Sequence, residues 1–151
     1  MKMRIAVIVF LSCAFAYSQD VNSYVELLRS DIQTKKKAII TTAMDFTDAE
    51  ATAFWPVYRS YELEANKVND EFLTLIKDYA DNFENMTDEK AKSIANQSFK
   101  LEEKELKLKK KLFKNVEKVL PAIKAARLVQ IENQINRLID VQISANLPLM
   151  E

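Results

Sequence analysis

Glycine and histidine are both absent from this chain of 151 residues, and cysteine occurs once, at Cys13. Without glycine there is no G-x-G-x-x-G fingerprint, no P-loop and no D-x-[DN]-x-[DN]-G calcium loop, because each needs backbone that a Cβ obstructs. The same absence argues against tight hairpins, and so against sheets. Without histidine the usual general base and the commonest borderline metal ligand are gone. Prolines number three and the only tryptophan is Trp55. Neither sign of charge dominates, with 22 basic and 22 acidic residues, so neither nucleic acid nor an anionic membrane is implied as a partner.

What is present at the start is an address. Met1 to Arg4 is short and basic, and Ile5 to Tyr17 is apolar apart from Ser12 and Cys13, which reads as a secretory signal peptide over residues 1–18. Thirteen residues rise only about 20 Å as a helix, too short for a retained membrane anchor. Ala14-Phe15-Ala16 offers cleavage after Ala16, and Ser18 is the competing position. Export to the periplasm is expected. Phe10-Leu11-Ser12-Cys13 is the alternative, a poor lipobox that would leave Cys13 lipidated. With ordinary cleavage the remaining chain has no cysteine and carries 20 basic against 22 acidic residues. Disulfide and thiol chemistry then drop out of an export route that would permit them.

Residues 19–151 read as a single helical domain. Val21, Val25, Leu28, Ile32, Ile39 and Ala43 form a near-heptad stripe over a helix at 20–44, in which Gln33 to Lys37 is either a solvated turn whose lysines line an outer face or a break. The next helix, 48–83, begins at a capping box: Thr47 and Glu50 are spaced to exchange side-chain and backbone bonds, with Phe46 as the staple residue. Phe54, Tyr58, Tyr61, Ala65, Val68, Phe72, Leu75 and Tyr79 follow at steps of three and four and predict one buried face. Pro56 lies past the first turn beside Phe54 and Trp55, where it should bend the helix. Its neighbourhood is either a kink that wraps the core or a shaped apolar surface.

Met86 to Glu89 opens a third helix, 88–119. One face carries Ile94, Ser98, Leu101, Leu108, Leu112 and Val119, and a neighbouring one Phe99, Leu106, Phe113 and Leu120. Between Lys100 and Lys118 eight lysines stand among four acids, with Glu103 and Lys107, and Glu105 and Lys109, spaced for pairing. Pro121 ends this helix and starts the last one, 121–145, whose stripe is Ile123, Leu128, Ile131, Ile135, Leu138 and Val141 or Gln142. Leu147 to Glu151 is a frayed tail. The predicted fold is all-α, an elongated four-helix hairpin-like bundle, dimeric because so thin a core leaves apolar surface uncovered.

Catalytic chemistry has few residues to draw on. Glu62 and Glu64, Asp70 and Glu71, and Asp81 and Glu84 lie in charged helix faces or ends, so no enzyme, cofactor or metal is expected. Lys104, Lys107, Leu108, Lys109, Lys110, Lys111, Phe113 and Lys114 make a surface both basic and apolar, either an ordinary solvated helix or a site for exposed, partly acidic and partly apolar segments of other proteins.

Phe46-Thr47-Asp48-Ala49-Glu50 and, about 74 residues on, Leu120-Pro121-Ala122-Ile123-Lys124 occupy the places of two L-T-x-x-Q motifs. With the leader, the length and the long amphipathic helices, the chain resembles the Spy and CpxP type of periplasmic stress protein, to which metal-resistance sensors are related. Phe46 stands for Leu, Glu50 for Gln, Pro121 for Thr and Lys124 for Gln. The Phe54-Trp55-Pro56-Val57-Tyr58 run is similar to divergent members. The resemblance implies a curved dimer whose basic, apolar face holds unfolded proteins without ATP. The sensing branch is implied to use histidine, which is missing here. Three functions follow as expectations: an exported client-holding chaperone or envelope-stress protein, an adaptor docking on a membrane regulator such as an anti-sigma factor, and a structural exported bundle.

Overall fold

A computed structural model describes Ser30 and residues 34–150. The expected leader at 1–18, Cys13, and most of the first helix's stripe lie outside the described residues. Within them the chain is all-helical. Ser30 and 34–44 belong to α1, followed by α2 (Asp48–Asn82), a 3₁₀ turn (Phe83–Asn85), α3 (Asp88–Val116) and α4 (Ala122–Ser144). No helix among the described residues is long and apolar enough to cross a membrane.

The helix starts follow their signals. At α2 the capping box is complete: the Thr47 amide donates to Glu50 Oε2 at 2.9 Å and Thr47 Oγ1 accepts from the Glu50 amide at 3.3 Å. Thr47 and Thr87 are the N-caps of α2 and α3. α2 runs unbroken through Pro56. α3 stops at Val116, three residues short of the sequence expectation, with Glu117 as its C-cap. There the Leu120 amide closes onto the Val116 carbonyl at 2.8 Å. Between α1 and α2 the turn needs a left-handed residue, and without glycine Asp45 takes it at φ 47°, a conformation Asp tolerates better than most side chains.

Ion pairs record how the helices lie. Lys90, Lys104 and Lys111 of α3 meet Asp78, Glu71 and Glu64 of α2, so the partners descend α2 as they climb α3 and the two run antiparallel. α4 runs along α2 in the same direction: Lys124 reaches Glu50, Glu132 takes Tyr58 and Tyr61, and the Pro148 carbonyl takes the Tyr79 hydroxyl. The main apolar cluster unites all four helices through Ile40, Met44, Phe54, Tyr58, Leu112, Val116, Leu128 and Ile135. Two smaller clusters continue it along the farther half of α2.

Several expectations are corrected here. The start of the expected tail is tied down, with Leu147 packed against both smaller clusters and Pro148 held by Tyr79, while Leu149 is 86% exposed. Of the expected α4 stripe, Ile123, Leu138 and Val141 are exposed. The buried face is Ala125, Leu128, Glu132, Ile135 and Ile143 with Ile131 beside it, at steps of three and four once the partly buried Ile139 is included. A search for apolar residues alone slid off it, because its centre is a carboxylate. The second α3 stripe is divided: Phe99 is 61% and Leu106 53% exposed, while Phe113 packs against the main cluster and Leu120 is buried in it.

Candidate functional site

Two constellations stand out, one sealed and one open. The sealed one is Glu132, fully buried. Tyr58 donates to its Oε1 at 2.6 Å and Tyr61 to its Oε2 at 3.1 Å. Lys36 of α1 reaches the same Oε2 at 2.8 Å with its own side chain 16% exposed. The ammonium also lies 6.0 and 5.9 Å from the two tyrosine ring centroids. Burial, and after it the negative charge of Glu132, push both phenols above their ordinary value of 10, so they stay protonated as donors. Sequence reasoning missed this network and put the lysine triplet on an outer face. Only Lys36 turns inward, while Lys37 lies 5.2 Å from the Trp55 ring centroid. The one legible signal was an acid at the centre of an otherwise apolar helical face.

At the α1–α2 turn the two motif-like segments meet. Lys124 donates to Glu50 Oε2 at 2.6 Å and to the Asp45 carbonyl at 3.1 Å, and sits 5.9 Å from the Phe46 ring centroid. Those hydrogen bonds hold the Glu50 carboxyl below its ordinary value, with that from Lys124 the leading cause and that from the Thr47 backbone next. The Phe46 ring lies tilted against Phe54 with centroids 4.6 Å apart, and Trp55 packs edge-on to Phe54 at 5.0 Å. Pro56 is exposed behind them and Leu120 is buried in the main cluster, one residue before the exposed Pro121. The aromatic group at Phe54, Trp55 and Tyr58 is therefore chiefly core.

The open constellation is the seam between α3 and α4. Leu106, Lys109, Lys110, Phe113 and Lys114 face Ala126, Val129 and Asn133 across a groove of about 480 Å³. Its floor is apolar and its rim is basic. Further along, the seam turns acidic: a recess of about 170 Å³ is lined by Glu102, Glu105 and Asp140 with Phe72, Leu101 and Ile139. Partial desolvation raises the carboxyls of Glu105 and Asp140, and Lys109 opposes it in both. Lys109 Nζ lies 3.9 Å from Glu105.

The structure divides the sequence-predicted surface. Lys109, Lys110, Phe113 and Lys114 come together in the groove. Lys104 and Lys111 are turned to α2, paired with Glu71 and Glu64, and Leu108 packs against the core clusters. Lys107 projects into solvent. Leu106, interleaved with these lysines in the sequence, is in the groove as well. Comparison with protein-family models, curated proteins and solved structures finds no match. The groove's own chemistry is what bears on function.

Proposed function

We propose that this protein is an exported, ATP-independent holder of unfolded or partly unfolded proteins, and that the α3–α4 groove is where clients bind. The observation that carries the reading is the groove itself: Leu106 and Phe113 line it together with Lys109, Lys110 and Lys114, and neither Lys110 nor Lys114 has an acidic partner among the described residues. On its α2 side the same helix pairs its lysines with acids instead. Charge attracts an acidic, partly apolar segment over distance and the apolar floor retains it. The resemblance to the Spy and CpxP type, with its hairpin-like dimer, belongs to this same proposal. It draws support from the contact between Glu50 and Lys124, which joins the two motif-like segments.

The test is light scattering of several heated or reduced acidic clients at stoichiometric ratio without ATP. Aggregation should be suppressed, more slowly at ~0.5 M salt, where the Debye length falls to about 4 Å. K109Q/K110Q/K114Q should suppress least, whereas K104Q/K111Q, on the paired side, should behave as wild type. Absence of suppression for every client would move the reading to an adaptor that docks on a membrane regulator. Equal loss in both variants would place the site elsewhere.

A further inference from the structure

The basic groove and the acidic recess belong to one seam. On α3, Lys114, Lys110, Leu106 and Glu102 follow at steps of four, and Phe113, Lys109, Glu105 and Leu101 run beside them at the same steps. Two neighbouring ridges of one helix face therefore carry both sites. On α4, Ala126, Val129, Asn133, Asn136 and Asp140 follow at steps of three and four. The groove joins residues 106–114 to 126–133 and the recess joins 98–105 to 136–140, the order that antiparallel helices give. Along this face the charge changes sign once, with lysines at one end, carboxylates at the other and Leu106 between them.

The acidic end is poorly compensated. Glu102, Glu105 and Asp140 share the recess with apolar Phe72, Leu101 and Ile139. Lys109 is set against them, but its Nζ lies 3.9 Å from Glu105, and neither Glu102 nor Asp140 is in an ion pair among the described residues. Partial desolvation holds the carboxyls of Glu105 and Asp140 above their ordinary value, a cost that a further cation would relieve. A uniformly acidic segment laid along the seam would bring its far charges onto this end, where like charges oppose binding.

We propose that the client segment is charge-segregated and spans both sites, with an acidic residue over Lys109, Lys110 and Lys114, an apolar residue on Leu106, and a basic residue over Glu102, Glu105 and Asp140. Lys110 and Glu102 are eight residues apart, about 12 Å along α3. An extended chain covers that distance in about four residues at ~3.3 Å each, and its residues i, i+2 and i+4 face the same way. The recognised pattern is therefore acid, any residue, apolar, any residue, base, in the extended form that an unfolded chain presents. This inference rests on the client-holding reading and adds which segments of a client the seam selects.

Fluorescence anisotropy of labelled peptides on the full chain at low salt tests it. One peptide carries acidic residues, an apolar centre and basic residues in that order, a second has the same residues with the charges interleaved, and a third has acids in place of its bases. The segregated peptide should bind about 5-fold more tightly than either of the others. E102Q/E105Q/D140Q should abolish its advantage over the all-acidic peptide, K109Q/K110Q/K114Q should weaken the binding of both, and E103Q, outside the recess, should bind all three as wild type does. Helical circular dichroism shows that every variant is folded. Segregated and interleaved peptides that bind equally, an all-acidic peptide that binds wild type as tightly as the segregated one, or an advantage that survives E102Q/E105Q/D140Q would each overturn the inference. The client-holding reading then stands as long as K109Q/K110Q/K114Q still weakens binding. If no peptide binds while client aggregation is suppressed, the inference alone falls; if aggregation is not suppressed either, both fall.

Discussion

Lys36→Met should unfold this protein more readily than its place in a run of three lysines suggests. Glu132 is fully buried, and Lys36 is its only cationic partner among the described residues. Removing that ammonium leaves a carboxylate in the core with two phenol donors and no counter-charge. Breaking a buried pair from one side costs about 3–5 kcal/mol; Lys36 keeps 16% exposure, which places the change near the lower end, about 3 kcal/mol. With a urea dependence of roughly 2 kcal/mol per molar the midpoint should fall by about 1.5 M, read by helical circular dichroism and by Trp55 fluorescence. Removing the whole network is different. K36M/Y58F/Y61F/E132L leaves no orphaned polar group and should return to within about 1 kcal/mol of wild type, because an apolar core of similar volume needs no desolvated charge. A Lys36→Met loss below ~0.5 kcal/mol, or a quadruple variant whose loss equals the sum of its parts, would refute the reasoning.

Alkaline pH should act through the same residues. Both phenols have folded-state values raised above the ordinary 10, so the stability they contribute is complete below pH 10 and is lost as pH rises beyond it. The wild-type urea midpoint should fall steeply there, and that of Y58F/Y61F should fall less. At the acid end, Glu50 has a lowered folded-state value, so its contribution is present above its ordinary 4.5 and is lost as pH falls through the lower folded value. Lys124→Met should flatten that acid limb of the stability profile, and an unchanged limb would show that the Glu50–Lys124 contact does not couple to folding.

The helices were legible because their signals are local. Thr47 and Glu50, Thr87, Pro121 and the step-three-and-four pattern of α2 fix where elements begin and which face of α2 goes inside, and those residues behave as their chemistry requires. What escaped was set by partners far away in the chain. Glu132 looks like a surface acid until Tyr58, 74 residues earlier, is placed beside it. Lys36 looks like its neighbours until α1 folds back. For the groove, the residue types on α3 were visible, but the split between lysines paired to α2 and lysines facing α4 depends on the packing angle of helices, which no periodicity reports. Phe99 and Leu106 share an apolar stripe with Leu120 in sequence, yet they are exposed and Leu120 is buried, so apolar pattern alone could not distinguish core from surface.

The ties between α2 and α4 also bear on the order in which the chain assembles. They join residues 74, 71 and 69 positions apart, and closing a loop of that length in an otherwise free chain costs about 4 kcal/mol of entropy. Lys90 and Asp78, at the α2–α3 connection, are only 12 apart. Once α2 and α3 lie antiparallel, the start of α4 is delivered to the start of α2, and the long closure becomes a short one. The Lys36–Glu132 network can then form only after the local pairing has removed the length from its loop. On that order its polar groups stay in water until the topology is set, so a fully buried carboxylate confirms the register that nearer contacts have set.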